Sequence, residues 1–205
     1  MENLSNYKKI DSQGVLALVC CYGYFENRTV LEMKGLENYF SQVVQSLNKS
    51  DILACVFCGG INHFEKKENA TITSESQSTL EWLEKSNLII NKKIPVIAEN
   101  LAKNTPEHLV FGLIAASKIW TKINKVQVYC DKVRQKRVEK LLKILLEDKV
   151  LEFEVVAFDR LDNHPNSTED IQNGAKMISD DKIKMLPLKV LFDSLWLAEN
   201  EMFST

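Results

Sequence analysis

Apolar residues in this chain follow two rhythms that alternate along its length. Short continuous runs, Val15 to Cys21, Ile52 to Cys58, Ile94 to Ala98, Val126 to Cys130 and Phe153 to Phe158, predict five strands. Between them, apolar residues recur at helical spacing. Leu36, Tyr39, Phe40, Val43, Val44 and Leu47 mark a helix from about Leu31 to Leu47, and Leu80, Trp82, Leu83 and Leu88 mark one that begins at Ser74-Glu75-Ser76. Leu109, Val110, Leu113, Ile114 and Ile119 mark a third. Val133, Val138, Leu141, Leu142, Leu145 and Leu146 give a fourth its apolar side, from about Lys132 to Leu146. Strands that are apolar at nearly every position are buried on both faces, which requires a parallel sheet covered by helices. The series predicts a three-layer α/β/α sandwich with a mainly parallel, Rossmann-like sheet.

One domain accommodates the whole chain of 205 residues. A lead-in over 1–11 precedes an α/β core over 12–160, and 161–205 reads as a C-terminal helical extension packed on that core. In the extension, Ser167-Thr168-Glu169-Asp170 resembles a helix cap and Leu186-Pro187 opens a final helix. No repeat or long linker separates a second unit. A formal net charge of -2 gives no footprint for nucleic acid, and the basic residues from Lys132 to Lys143 belong to one helix. Lys8-Lys9 ahead of Val15–Cys21 imitates a signal segment, but Asp11 and Gln13 interrupt it and the run is too short to span a bilayer. The expectation is a cytoplasmic protein without a membrane anchor. Cys20, Cys21, Cys55, Cys58 and Cys130 all fall in apolar runs, as reduced core cysteines do. On a strand, Cys55 and Cys58 point to opposite faces, which argues against a paired redox or zinc site.

Polar residues gather where the predicted strands end. Gly23, Gly59-Gly60, Glu99, Asp131 and Asp159-Arg160 all lie at carboxyl ends of strands, the edge of an open α/β sheet where ligands bind. Thr105 is placed to cap the helix that follows Glu99, with Pro106 at its first position and Glu107 suited to the helix dipole. Glu99 itself comes too early for capping. Gly59-Gly60 allows close approach of a ligand, and the helix start at Ser74 offers N–H groups to an anion. Neither Gly-x-Gly-x-x-Gly nor a Walker-type run is present, and no serine sits on a Gly-x-Ser-x-Gly elbow. Arg134 and Arg137 lie three apart near a helix start, where cations oppose the dipole; an anionic ligand, a buried carboxylate or a solvated face would each explain them. His63, His108 and His164 have no metal-ligand spacing.

Taken in order, Gly23, Gly59-Gly60, Ser74-Glu75-Ser76, Glu99, Asn104-Thr105-Pro106-Glu107-His108 and Arg134 with Arg137 resemble the pattern of the YdcF/SanA/ElyC-like family, which carries a domain of unknown function. The likeness covers roughly Val15 to Phe158 and rests on the order of its parts. His108 stands where that family usually has Asn, and Arg134 where it has His. The resemblance implies an α/β fold with a ligand pocket at the strand ends and, from family members, S-adenosylmethionine or another nucleotide-like cofactor. Gly23, Gly59, Gly60, Glu75, Glu99, Asn104, Thr105, Glu107, Arg134 and Arg137 are the ligand-binding candidates, with no metal among their partners. Glu75, Glu99, Asn104, Glu107 and Arg137 are expected to line one pocket. The alternatives are a metal-assisted phosphoryl-handling enzyme acting on a phosphorylated sugar or lipid carrier, and a non-catalytic module with a degenerate site. Whether the chain is an enzyme stays open at this level, as does its oligomeric state.

Overall fold

The computed structural model describes residues 14–22, 30–61, 73–117, 123–160 and 185–195. Its elements run β1 (Gly14–Cys20), α1 (Val30–Lys49), β2 (Ile52–Cys58), α2 (Glu75–Lys85), β3 (Val96–Glu99), α3 (Thr105–Ser117), β4 (Ile123–Asp131), α4 (Gln135–Leu146) and β5 (Glu152–Phe158). A further helical stretch covers 185–195. The sheet has the order β3-β2-β1-β4-β5, and every neighbouring pair is parallel. This is the α/β architecture that the continuous apolar runs predict. β1 and β2 at the centre are buried along nearly their whole length, whereas β5 at one edge is only partly so.

Helices cover both faces, and side-chain parity shows which covers which. Val19 and Tyr129 are register partners, and Ser46 of α1 meets the Tyr129 hydroxyl at 3.4 Å, so α1 lies on the Val19 face. α2 joins it there, with the Phe40 and Trp82 rings 6.0 Å apart. Leu18 points the other way. A Cβ built on Gly112 of α3 falls 3.1 Å from Leu18 Cδ2 and 2.7 Å from Cys58 Sγ, so α3 lies against that face, in contact with α4. The strand order therefore reverses between β1 and β4, with connections leaving toward opposite layers. In a doubly wound sheet this opens a crevice at the carboxyl ends of those two strands.

Element boundaries depart from the apolar pattern in ways that bear on the site. β3 starts at Val96 and includes Glu99, because Glu99 pairs with Cys58 and its carbonyl accepts from the Gly59 N–H at 3.1 Å. α4 starts at Gln135, not Lys132: residues 132–134 form a turn, and Val133 is 65% exposed instead of contributing to the apolar side. α2 ends at Lys85, with Asn87 at φ 55° and the Leu88 N–H bonded to Leu83 O, a C-cap that leaves Leu88 outside the helix. The three helices α1, α2 and α3 each carry a carboxylate in the first turn, as their dipoles favour. In 185–195, Met185 and Phe192 are buried, and Lys189 bridges Asp148, in the turn after α4, to Asp193. Among the described residues no helix is long and apolar enough to cross a membrane.

Gly112 sets how closely α3 approaches the sheet. Gly112→Ala gains about 1 kcal/mol of helix propensity but forces its methyl into Cys58 and Leu18, at a cost of about 1–3 kcal/mol. Chemical denaturation is expected to show a net loss of stability, most of it recovered in Gly112→Ala/Cys58→Ala. A stabilised single variant would mean that α3 does not seat on Cys58.

Candidate functional site

The carboxyl edge has two polar neighbourhoods. In the first, around β2 and β3, the chain spends most of its polar groups on itself. The Glu75 N–H bonds Gly60 O, the Ser76 N–H bonds Gly59 O, and the Gln77 N–H bonds Ser74 Oγ, the N-cap side chain of α2. These are the first-turn N–H groups that the sequence offers to an anion; the turn after β2 and the cap occupy them instead. Ser74 and Ser76 both donate to Asn100 Oδ1, at 2.6 and 2.7 Å. The glycines are explained by the same closeness. A Cβ on Gly60 would lie 2.6 Å from Ala102 O and 2.9 Å from Asn100 O, and one on Gly59 would lie 2.9 Å from Glu75 Cβ. What approaches these glycines is the protein's own chain, where the sequence reading places a ligand.

Glu99 ties down the loop that follows it. Its Oε1 accepts from the Leu101 N–H at 2.5 Å and the Ala102 N–H at 3.1 Å, while Oε2 is buried with no hydrogen-bond partner. The residue is only 5% exposed, and burial raises its carboxyl above the ordinary value, against the two backbone bonds that lower it and with Glu107 adding to the rise. The cap of α3 is Asn104, not Thr105: Asn104 O accepts the first helical bond, from the His108 N–H, and Asn104 Oδ1 accepts from the Glu107 N–H at 3.1 Å. Glu107 reaches back to the Lys103 N–H at 2.7 Å and to Asn104 Nδ2 at 2.6 Å, a variant of the capping box in which the acid meets the N–H one residue before the cap. Thr105 is the first helical residue and is buried.

The second neighbourhood spans the crevice between β1 and β4. Tyr22, just past β1, is buried, and its hydroxyl accepts from the Asp131 N–H at 2.7 Å, which joins the ends of the two strands. The Arg134 guanidinium lies over the Tyr22 ring at 4.2 Å and that of Arg160 at 5.3 Å, distances at which a cation is attracted to the ring face. Asp131 Oδ1 accepts from the Arg134 N–H at 3.0 Å and so caps the turn before α4. Arg134 and Arg137 are half-buried. His108, from the first turn of α3, is 5% exposed, and its Nδ1 is buried without a partner. Burial, with Arg134 and then Arg137 adding to it, pushes its pKa down to about 3, so the imidazole is neutral at ordinary pH.

A row of in-register residues underlies both neighbourhoods. Glu99 pairs with Cys58 and Cys58 with Cys20, while Cys130 follows the Tyr129 that pairs with Val19. These cysteines are free and buried. Burial pushes the Cys20 thiol up to about 11 even with Arg134 beside it, so the floor is made of protonated, unreactive thiols.

The candidates thus fall into distinct contacts. Arg134 and Arg137 act on His108; the Glu107 charge acts on Glu99, and Asn104 pairs with Glu107; Glu75 packs at Gly59 and Cys21, toward the α2 layer. Gly23 lies outside the described residues, as do His63 and His164. Tyr22 and His108 are the additions that the structure makes. Tyr22 lies just past the first apolar run, Val15 to Cys21, with no motif to mark it, and His108 acquires its neighbours only because α3 crosses back over β1. Among the described residues, no group of three or more His, Cys, Asp or Glu side chains is arranged to hold a metal ion. No family model matches the chain, and no curated protein or solved structure matches it either.

The Glu99 carboxyl leaves a trace in the pH dependence of stability. Since its folded pKa is raised, the fold binds its proton more tightly than the unfolded chain does. The resulting stability is complete below the ordinary value of 4.5 and is lost as pH rises through the higher folded value. Denaturation from about pH 4 upward is expected to show this decline, and Glu99→Gln, which keeps an oxygen for the loop N–H groups, should flatten it. An unchanged slope in the variant would place Glu99 in a solvated setting.

Proposed function

We propose that this protein binds a small nucleotide-like ligand at the carboxyl ends of its parallel strands, in the crevice between β1 and β4. The observation that carries this reading is that half-buried Arg134 and Arg137, at the start of α4, and a buried His108 whose Nδ1 has no partner, in the first turn of the adjoining α3, share the carboxyl edge, where the two charges act on the imidazole. Ligand sites in open α/β sheets form where the strand order reverses, which here is the boundary these residues surround. Tyr22 contributes an aromatic wall that already holds one guanidinium. Glu99 and Glu107, farther along the same edge, supply acceptors suited to hydroxyl or amine groups, although both also serve the local backbone. S-adenosylmethionine, which the family resemblance brings forward, shares the nucleoside part of this ligand class but carries no phosphate.

A thermal-shift screen of S-adenosylmethionine, nucleotides and sugar phosphates, run with and without magnesium, tests the proposal. A ligand at a hundred times its Kd stabilises the fold by about 2.7 kcal/mol, or roughly 5–10 °C for a chain of this size. A shift without magnesium is the expected result. A shift seen only with magnesium would favour metal-assisted phosphoryl chemistry, and no shift with any nucleotide-like compound would contradict the reading.

A further inference from the structure

The first turn of α4 breaks a rule that the helices before it keep. α1, α2 and α3 place Glu32, Glu75 and Glu107 where the positive end of the dipole favours a carboxylate, and α4 has no acid in its first turn. It places Arg134 at the N-cap position, without a side-chain cap bond, and Arg137 in that first turn. Two cations held against the positive end of a helix repel it. Lys132, nearby, is offset by Asp159, whereas the Arg134 guanidinium rests on the Tyr22 ring. The Asp131 carboxylate accepts from the Arg134 backbone N–H, and its charge also acts on the guanidinium.

A helix end of this kind is not by itself a site; His108 supplies the independent observation. It comes from α3, a different element, and is buried with Nδ1 unpartnered, a state that costs free energy unless something meets that nitrogen. α3 and α4 are in contact and both begin at the carboxyl edge, which sets the first turn that carries His108 beside the one that carries Arg134 and Arg137, and the two charges act on the imidazole. An anion among the three would face two guanidinium groups and a neutral imidazole. With its proton on Nδ1, that imidazole donates a hydrogen bond without adding a third buried positive charge.

We infer that the crevice between β1 and β4 holds a phosphate group of the ligand, bound by Arg134, Arg137 and His108 at the N-terminus of α4. Guanidinium forks match phosphate oxygens in pairs, and a helix N-terminus favours the negative charge. The ring of Tyr22 keeps Arg134 in place before the phosphate arrives. This inference rests on the ligand-binding reading above and adds which end of the ligand lies where: phosphate over β1 and β4, the rest extending toward β2 and β3. Glu99 and Cys130 stand three strand spacings apart along the row, about 14 Å, a span longer than a bare phosphate.

The test is isothermal titration with inorganic phosphate, AMP and adenosine against the wild type, Arg134→Gln, His108→Gln and Lys136→Gln. Lys136 is exposed in the same turn, so its variant makes the same change of charge outside the site. The expected result is that AMP binds at least about tenfold more tightly than adenosine, that Arg134→Gln and His108→Gln remove most of this difference, and that Lys136→Gln leaves it within about twofold. Adenosine affinity should be nearly the same in all four proteins, which also shows that the variants are folded. If AMP and adenosine bind alike and Arg134→Gln changes neither, the phosphate site is wrong while the nucleotide-like reading survives. If phosphate binds, is lost in Arg134→Gln, and AMP does no better than phosphate, the phosphate site stands and the nucleotide-like reading falls. Equal losses in Arg134→Gln and Lys136→Gln would reduce the effect to general electrostatics and overturn the inference.

Discussion

Tyr22 is the contact on which the candidate site depends. Its hydroxyl takes the Asp131 N–H, its ring meets Tyr39 edge-on at 5.1 Å, and its face lies beneath Arg134. One side chain thereby joins the end of β1 to α1, to the end of β4 and to the turn that opens α4. Tyr39 extends the tie, with its hydroxyl 3.4 Å from Cys20 O and its ring against Phe40. Aromatic and cation contacts of this kind contribute about 0.5–2 kcal/mol each. That is enough to keep a guanidinium in one place and too little to neutralise it. The fold presents Arg134 already oriented and still charged.

The two halves of the carboxyl edge divide their work on the same principle. Around β2 and β3, Ser74, Ser76, Asn100, Asn104, Glu107 and the Glu99 Oε1 satisfy backbone and one another and close loops over the sheet, while Glu99 Oε2 stays buried without a partner. Around β1 and β4, His108 Nδ1 is a buried atom without a hydrogen-bond partner, and the first turn of α4 carries cations and no acid. Between them runs a floor of small, protonated cysteines, and the absence of a side chain at Gly112, one turn after His108, lets α3 lie close against Cys58 and Leu18. A site built over buried sheet rather than on an exposed loop has donors fixed in advance, which lowers the ordering cost of binding.

The architecture is readable in the chain because burial on both faces writes itself as unbroken apolar runs, Val15 to Cys21 and Ile52 to Cys58 above all. Local polarity is less legible. Gly59-Gly60 looks like a ligand cradle, yet the residues that crowd it, Ala102, Asn100 and Glu75, belong to segments remote in sequence. The α3 cap shifts from Thr105 to Asn104 because Asn can pair with Glu107 three residues on and Thr105 cannot. Arg134 and Arg137 stand out at once as cations at a helix start. That His108 faces them cannot be read from spacing, since it follows from the strand order that carries α3 back across β1.

Amide chemical-shift mapping on uniformly labelled protein titrated with AMP tests the placement of the ligand most directly. Binding at the crevice predicts shifts concentrated at Tyr22, at Asp131 through Arg137 and at His108, with smaller changes toward Glu99. Shifts confined to the opposite ends of the strands, near Gly14, Ile123 and Glu152, would contradict it.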